Sequence, residues 1–190
     1  VYNMANVARE KARQELPHVT IELLDSQTAA AGEGLIVLAA AQAAAEGKGL
    51  AEVIEVAESV RRKVNVIAVM ETVRHAYRTG RIPKTASRIG AMLNIKPIFT
   101  ISEGTVHFAG ATRSKQRGVD QLLKKMRKEV GVNPVHVAVM HADVPEEGKK
   151  LKDRVSAEFN CVELWLTEFT PVMGYAAGRG ILAIAFYPEA

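Results

Sequence analysis

Cysteine is almost absent from this 190-residue chain, which carries Cys161 alone. One thiol closes no internal disulfide, and no cysteine pair exists to hold a structural zinc. A reducing, cytoplasmic setting is the simplest reading. Aromatic residues make up only 5%, too few for base stacking to be the main activity. No uncharged apolar run approaches the roughly 18 residues that a membrane-spanning helix needs. The opening residues show no secretory pattern. They read Val1-Tyr2-Asn3-Met4 with no initiator methionine, so a further upstream portion is expected.

What remains is the composition of a folded α/β protein. Hydrophobic residues make up 48% and charged residues 24%, which excludes a disordered tail, a collagen-like repeat and a coiled-coil rod. The length fits one to two domains. Charge is unevenly placed. Between Arg74 and Lys128 stand 13 basic residues against only Glu103 and Asp120. Such a field draws anions: nucleic acid, an anionic membrane, an acidic protein or a ligand carboxylate.

The pattern places a helix over 4–16, ended by Pro17, and a strand over Val19–Leu24. Asp25, Ser26 and Thr28 follow that strand's C-terminal end, where α/β proteins commonly bind ligand. An alanine-rich helix from Gly34 to Ala45 and a second from Ala51 to Lys63 complete a first unit, residues 1–63. The second unit, 64–190, starts with a strand at Val64–Met70. A short helix to Thr79, a turn over Gly80-Arg81-Ile82-Pro83 and another helix reaching about Leu93 follow. Glu103-Gly104 joins the strands Ile95–Ile101 and Thr105–Phe108 as a hairpin turn does. Val119, Leu122, Leu123, Met126 and Val130 form one stripe of a helix over Ser114–Val130. Strands over Val135–Met140, Val162–Leu166 and Ile181–Phe186 complete the chain, with a helix from Pro145 to Phe159. Two such units would leave a cleft between them.

Catalytic and metal signals are thin. The five histidines show no HExxH spacing. His141 and Asp143 form a candidate acid–base pair after a strand, without a third member. Gly32 and Gly34 resemble half of a dinucleotide loop, but Val37 stands where the third glycine belongs. Close strand–helix packing explains them equally well. The basic helix around Arg113–Lys128 has no helix-turn-helix or aromatic strand motif beside it.

Four stretches taken together carry a resemblance. They are Asp25-Ser26-Gln27-Thr28-Ala29-Ala30-Ala31-Gly32-Glu33-Gly34, Thr79-Gly80-Arg81-Ile82, Leu93-Asn94-Ile95-Lys96-Pro97-Ile98 and Thr112-Arg113-Ser114-Lys115. In order along the chain they resemble the DegV family of bacterial fatty-acid-binding proteins. The resemblance implies a two-domain α/β arrangement, with an incomplete N-terminal α/β domain over 1–63 and a lipid-enclosing one over 64–190. It implies a carrier and not a catalyst: a long-chain fatty acid lies between the domains, and its carboxylate is presented to a separate fatty acid kinase. The ligand would be the lipid alone, with no other cofactor, no metal and no nucleic acid. Transient membrane contact is compatible with that role. The family's TDS and TSxPS-like segments would lie upstream of Val1.

One stretch departs from the family. Its closing G-x-H-T-G-P-G pattern corresponds here to Gly174-Tyr175-Ala176-Ala177-Gly178-Arg179-Gly180. Ala176 stands at the histidine and Arg179 at the proline, so Tyr175 or Arg179 is the expected replacement donor for the carboxylate. With Ser26, these are the head-group candidates. Leu93, Ile95, Ile98, Phe99, Ile101 and Phe186 are the expected lining for the tail, where each buried methylene is worth about 0.8 kcal/mol. Ordinary core packing would use the same residues. Arg81 is the expected contact for the kinase. Two other readings stand beside this one: a basic-surface protein-interaction or nucleic-acid-binding module, and a small-molecule enzyme using His141 and Asp143.

Overall fold

The computed structural model describes residues 1–80 and 95–189. Six strands form one sheet: β1 (Asn65–Val69), β2 (Lys96–Ser102), β3 (Thr105–Thr112), β4 (Val135–His141), β5 (Cys161–Glu168) and β6 (Leu182–Pro188). Their spatial order is β3-β2-β1-β6-β4-β5, with only β4 and β5 parallel. The described helices are α1 (Tyr2–Glu15), α2 (Ala31–Ala45), α3 (Leu50–Lys63), α4 (Arg74–Arg78), α5 (Lys115–Val130), α6 (Pro145–Glu158) and α7 (Pro171–Ala177). The helix expected after Pro83, reaching about Leu93, falls on residues outside the described ones.

Alternation along the strands gives the sheet two unlike faces. Ile67, Val69, Val137, Val139, Ile184 and Phe186 fill one of them and pack under α5 and α6. The expected stripe of α5 is buried there: Leu122 and Met126 are fully enclosed, with Val119, Leu123 and Val130 beside them. Each such side chain contributes about 1.5–3 kcal/mol of burial. Ser114 starts α5, its Oγ accepting from the Arg117 N–H at 3.3 Å, as an N-cap serine should.

The opposite face carries small residues at the same alternation: Ala68, Ala138, Ala183 and Ala185. Alanine-rich α2 approaches closely there. A Cβ on Gly32 would stand 2.6 Å from both Thr28 Oγ1 and Val66 Cγ2. Gly32 therefore serves helix–strand packing, the non-nucleotide reading of that glycine pair. Leu35, Ile36 and Ala39 of α2 and Ala57 and Val60 of α3 share one core with Val66, Met140 and Tyr187. α2 and α3 therefore pack on the sheet that follows Lys63.

The hairpin forms as expected. Glu103 and Gly104 have φ of 51° and 70°, the paired positive values of the tight turn that matches strand twist. The expected strand over Val19–Leu24 does not form. Its apolar residues suggest a strand, but a strand needs a ladder, and this segment has no strand partner among the described residues. Leu24 instead packs against the α2–α3 core.

An ionic junction ties the element ends at one edge of the layer. Glu71, just after β1, accepts from Lys96 at the start of β2 and pairs with Lys115 of α5 at 3.2 Å. Lys115 also reaches Glu147 of α6 at 2.8 Å. Burial alone would raise the Glu71 carboxyl, but the two lysines override it and hold the group below its ordinary value.

Candidate functional site

The alanines leave volume over their face of the sheet, and two adjoining cavities occupy it. The smaller, about 110 Å³, lies under α4 and α7. Ala68, Phe99, Ile101, Ala176, Ile181 and Ala183 are among its walls, and every lining side chain is aliphatic, aromatic or methionine. The larger, about 480 Å³, is bounded by Gly34, Leu35 and Leu38 of α2, Ala138 and Met140 of β4, and residues Trp165 to Thr170. Ala30, Phe169 and Met173 line both cavities. The polar groups of the pair, Thr167, Glu168 and Thr170, sit on the rim of the larger.

Local backbone features hold this junction. Ala30 has φ of 54°, unusual for a residue with a Cβ, and brings the chain from Asp25 into α2. The Phe169 N–H donates to the His141 carbonyl at 2.8 Å, anchoring the backbone of a residue that lines both cavities. Met173 hangs from α7, whose outer side is exposed at Val172 and Tyr175. An apolar cavity opening onto a larger, polar-rimmed one can take an amphiphile: tail inward, head outward.

The expected residues divide around this site. Phe99 is 4% exposed and lines the smaller cavity with Ile101 and Ala176. Ile98 and Phe186 do not line it. They belong to the core beneath α5, on the other face of the sheet, because neighbours in a strand point to opposite sides. Ile95 borders a groove with Ala111 and Arg113 and not either cavity. Ser26 lies outside both cavities and donates to Glu33 at a long 3.5 Å. Leu93 and Arg81 fall outside the described residues.

The two expected replacement donors also lie off the cavity walls. Arg179 pairs with Asp143 at 2.5 Å with its side chain 85% exposed, and Tyr175 is 75% exposed. That ion pair also engages one member of the expected acid–base pair. Asp143 turns to Arg179, while the His141 ring packs against Gly148, where a Cβ would stand 2.6 Å from its Cδ2. The buried His141 Nδ1 has no hydrogen-bond partner. Cys161 is half-buried, and burial pushes its thiol up, away from the thiolate that nucleophilic chemistry needs. Among the described residues no cluster could hold a metal ion, and no helix is long and apolar enough to cross a membrane.

Sequence reasoning missed Ala68, Ala183, Phe169 and Met173. The alternation of alanine with large residues in Val66–Val69 and Leu182–Phe186 is the signal that could have found the first two.

A family model describing uncharacterised proteins of the DegV family matches residues 1–189. This chain belongs to the DegV family. A DegV domain-containing protein of Clostridium perfringens is 30% identical over 189 residues, 99% of this chain and 66% of the relative. The chain thus spans just under two thirds of that curated relative's length. A DegV family protein from Thermus thermophilus, described by its fatty acid binding, superposes with a TM-score of 0.83 at 28% identity. That match covers 95% of this chain and 65% of the other. The Fatty Acid Kinase (Fak) B3 protein of Streptococcus pneumoniae, loaded with linoleic acid, shares the fold at TM-score 0.90 and 18% identity, over 99% and 67% of the two chains. The DegV fold expected from the sequence is therefore present.

Proposed function

We propose that this DegV protein is a fatty-acid carrier whose acyl tail occupies the smaller cavity, with the carboxylate directed toward the larger one. The observation that carries this reading is the wholly apolar cavity between the alanine face and α4–α7, joined through Ala30, Phe169 and Met173 to a polar-rimmed opening. The fatty acid binding of the Thermus relative supports it. Phe99, Ile101 and Ala176 contact the tail. Each methylene buried there would add roughly 0.8 kcal/mol, which favours retention without a cofactor.

The chain acts as a carrier rather than a catalyst. It presents the lipid carboxylate to a separate kinase in the cytoplasm, a role suggested by the name of the pneumococcal neighbour. Arg81 remains the first residue to test for that encounter, and transient membrane contact would accompany lipid exchange. The domain division lies before α2 in this reading, because α2 and α3 share the core of the sheet.

Displacement of a fluorescent fatty acid from the whole protein tests the assignment. Ala176→Phe should fill the smaller cavity and abolish uptake while leaving the circular dichroism unchanged. Undiminished uptake by that variant would reject the tail position.

A further inference from the structure

We propose that the groove between α5 and the outer edge of the sheet is a docking site for an acidic, extended segment of a partner protein. The groove is separate from the lipid cavities and lies on the other face of the sheet. Its two parts, about 590 and 750 Å³, meet at Gln121, which lines both. Ile67, Ile98 and Ala109 form the floor of the larger part, and Ala111 borders the smaller. Arg117, Gln121, Lys124 and Lys128 recur at spacings of four, three and four, so they share one helix face.

Charge identifies the occupant. Arg113, Arg117, Lys124, Lys125 and Lys128 line the groove, and none has an ion-pair partner among the described residues. Arg127 is different, being held by Glu158 at 2.5 Å. Of the groove's two acids, Asp120 is already neutralised by Arg154 at 2.8 Å, leaving Glu129. Residues 81–94 contain no Asp or Glu, so that segment supplies no counter-charge. Five uncompensated cations along one open groove repel one another until an anion enters.

The sheet edge selects an extended chain over other polyanions. β3 ends the sheet, so one side of its backbone has no strand neighbour among the described residues. Such an edge accepts an added strand, whose backbone bonds supply affinity while alternate side chains read the flanking surface. Alternate carboxylates would meet the α5 cations on the face that Ala109 and Ala111 line, and the side chains between them would turn to the opposite face of the sheet. A bilayer or a nucleic-acid duplex would reach the tips of the cations but use neither the floor nor the edge.

The test is fluorescence anisotropy on the whole protein with a labelled peptide alternating Glu and Val. The same peptide with Gln for Glu, phosphatidylglycerol vesicles and a short DNA duplex run beside it. The proposal expects the Glu peptide to bind, more weakly as salt rises, and to slow amide exchange along β3. Lys124→Glu with Lys128→Glu should weaken it by about tenfold or more, while fatty-acid uptake stays unchanged. Equal binding by the double variant overturns the proposal. So does binding of vesicles or duplex without the Glu peptide, or unaltered exchange in β3 at saturation. Should the double charge reversal misfold, Lys124→Gln with Lys128→Gln replaces it under the same criteria.

Discussion

Ile98 and Phe99 are neighbours on β2, yet Ile98 is buried beneath α5 while Phe99 walls the smaller lipid cavity on the opposite face. Their substitutions should therefore separate stability from binding. Ile98→Ala should lower unfolding stability by about 2–5 kcal/mol and leave fatty-acid affinity unchanged. Phe99→Ala should change affinity or chain-length preference as well. Chemical denaturation paired with lipid titration reads both, and a large affinity loss in Ile98→Ala would contradict the two-face division.

Gly32 permits α2 to rest on Thr28 and Val66. Gly32→Ala should cost about 1–3 kcal/mol through overpacking, measurable as a lower denaturant midpoint. The same change at Gly34, where an added Cβ meets nothing within 4 Å, should be tolerated by the fold. A neutral Gly32→Ala would show that α2 can move away from β1 without loss.

Glu71 links β1, β2 and α5 through Lys96 and Lys115. Its carboxyl is held below the ordinary value when folded, so the folded state binds its proton less readily than the unfolded state. The stabilisation is present above the unfolded value and is lost as pH falls through the folded one. Solvent at this partly exposed site keeps the effect small. Glu71→Gln should flatten the acid side of the stability–pH curve, and an unchanged slope would remove Glu71 from the acid response.

Arg179 pairs with Asp143 and is turned to solvent, whereas Ala176 faces the smaller cavity. Arg179→Ala should accordingly leave fatty-acid affinity unaltered. Ala176→His should weaken binding, because it fills the tail's cavity and buries an imidazole without a partner on an apolar wall. A tenfold weakening in Arg179→Ala would restore the arginine as the head-group donor.

Elements whose signal is local were readable from the sequence. The α5 stripe, the Glu103-Gly104 turn and Pro145 at the start of α6 each carry their own instructions, and each forms. The DegV identity was legible because several motifs occur in order. Facing was harder to read. Ile98, Phe99 and Phe186 are equally apolar, so composition cannot say which side of the sheet each serves until pairing fixes the register. Val19–Leu24 has strand composition without a ladder, because strand formation depends on a partner that local sequence does not specify. The cavity itself is written in alanines, residues that also mark close packing.

Native mass spectrometry of the gently purified whole protein tests the central claim most directly. The account predicts one long-chain fatty acid bound per protein molecule, absent from Ala176→Phe and recovered on adding free fatty acid to delipidated wild type. Wild-type protein that carries no lipid and takes none up would contradict it.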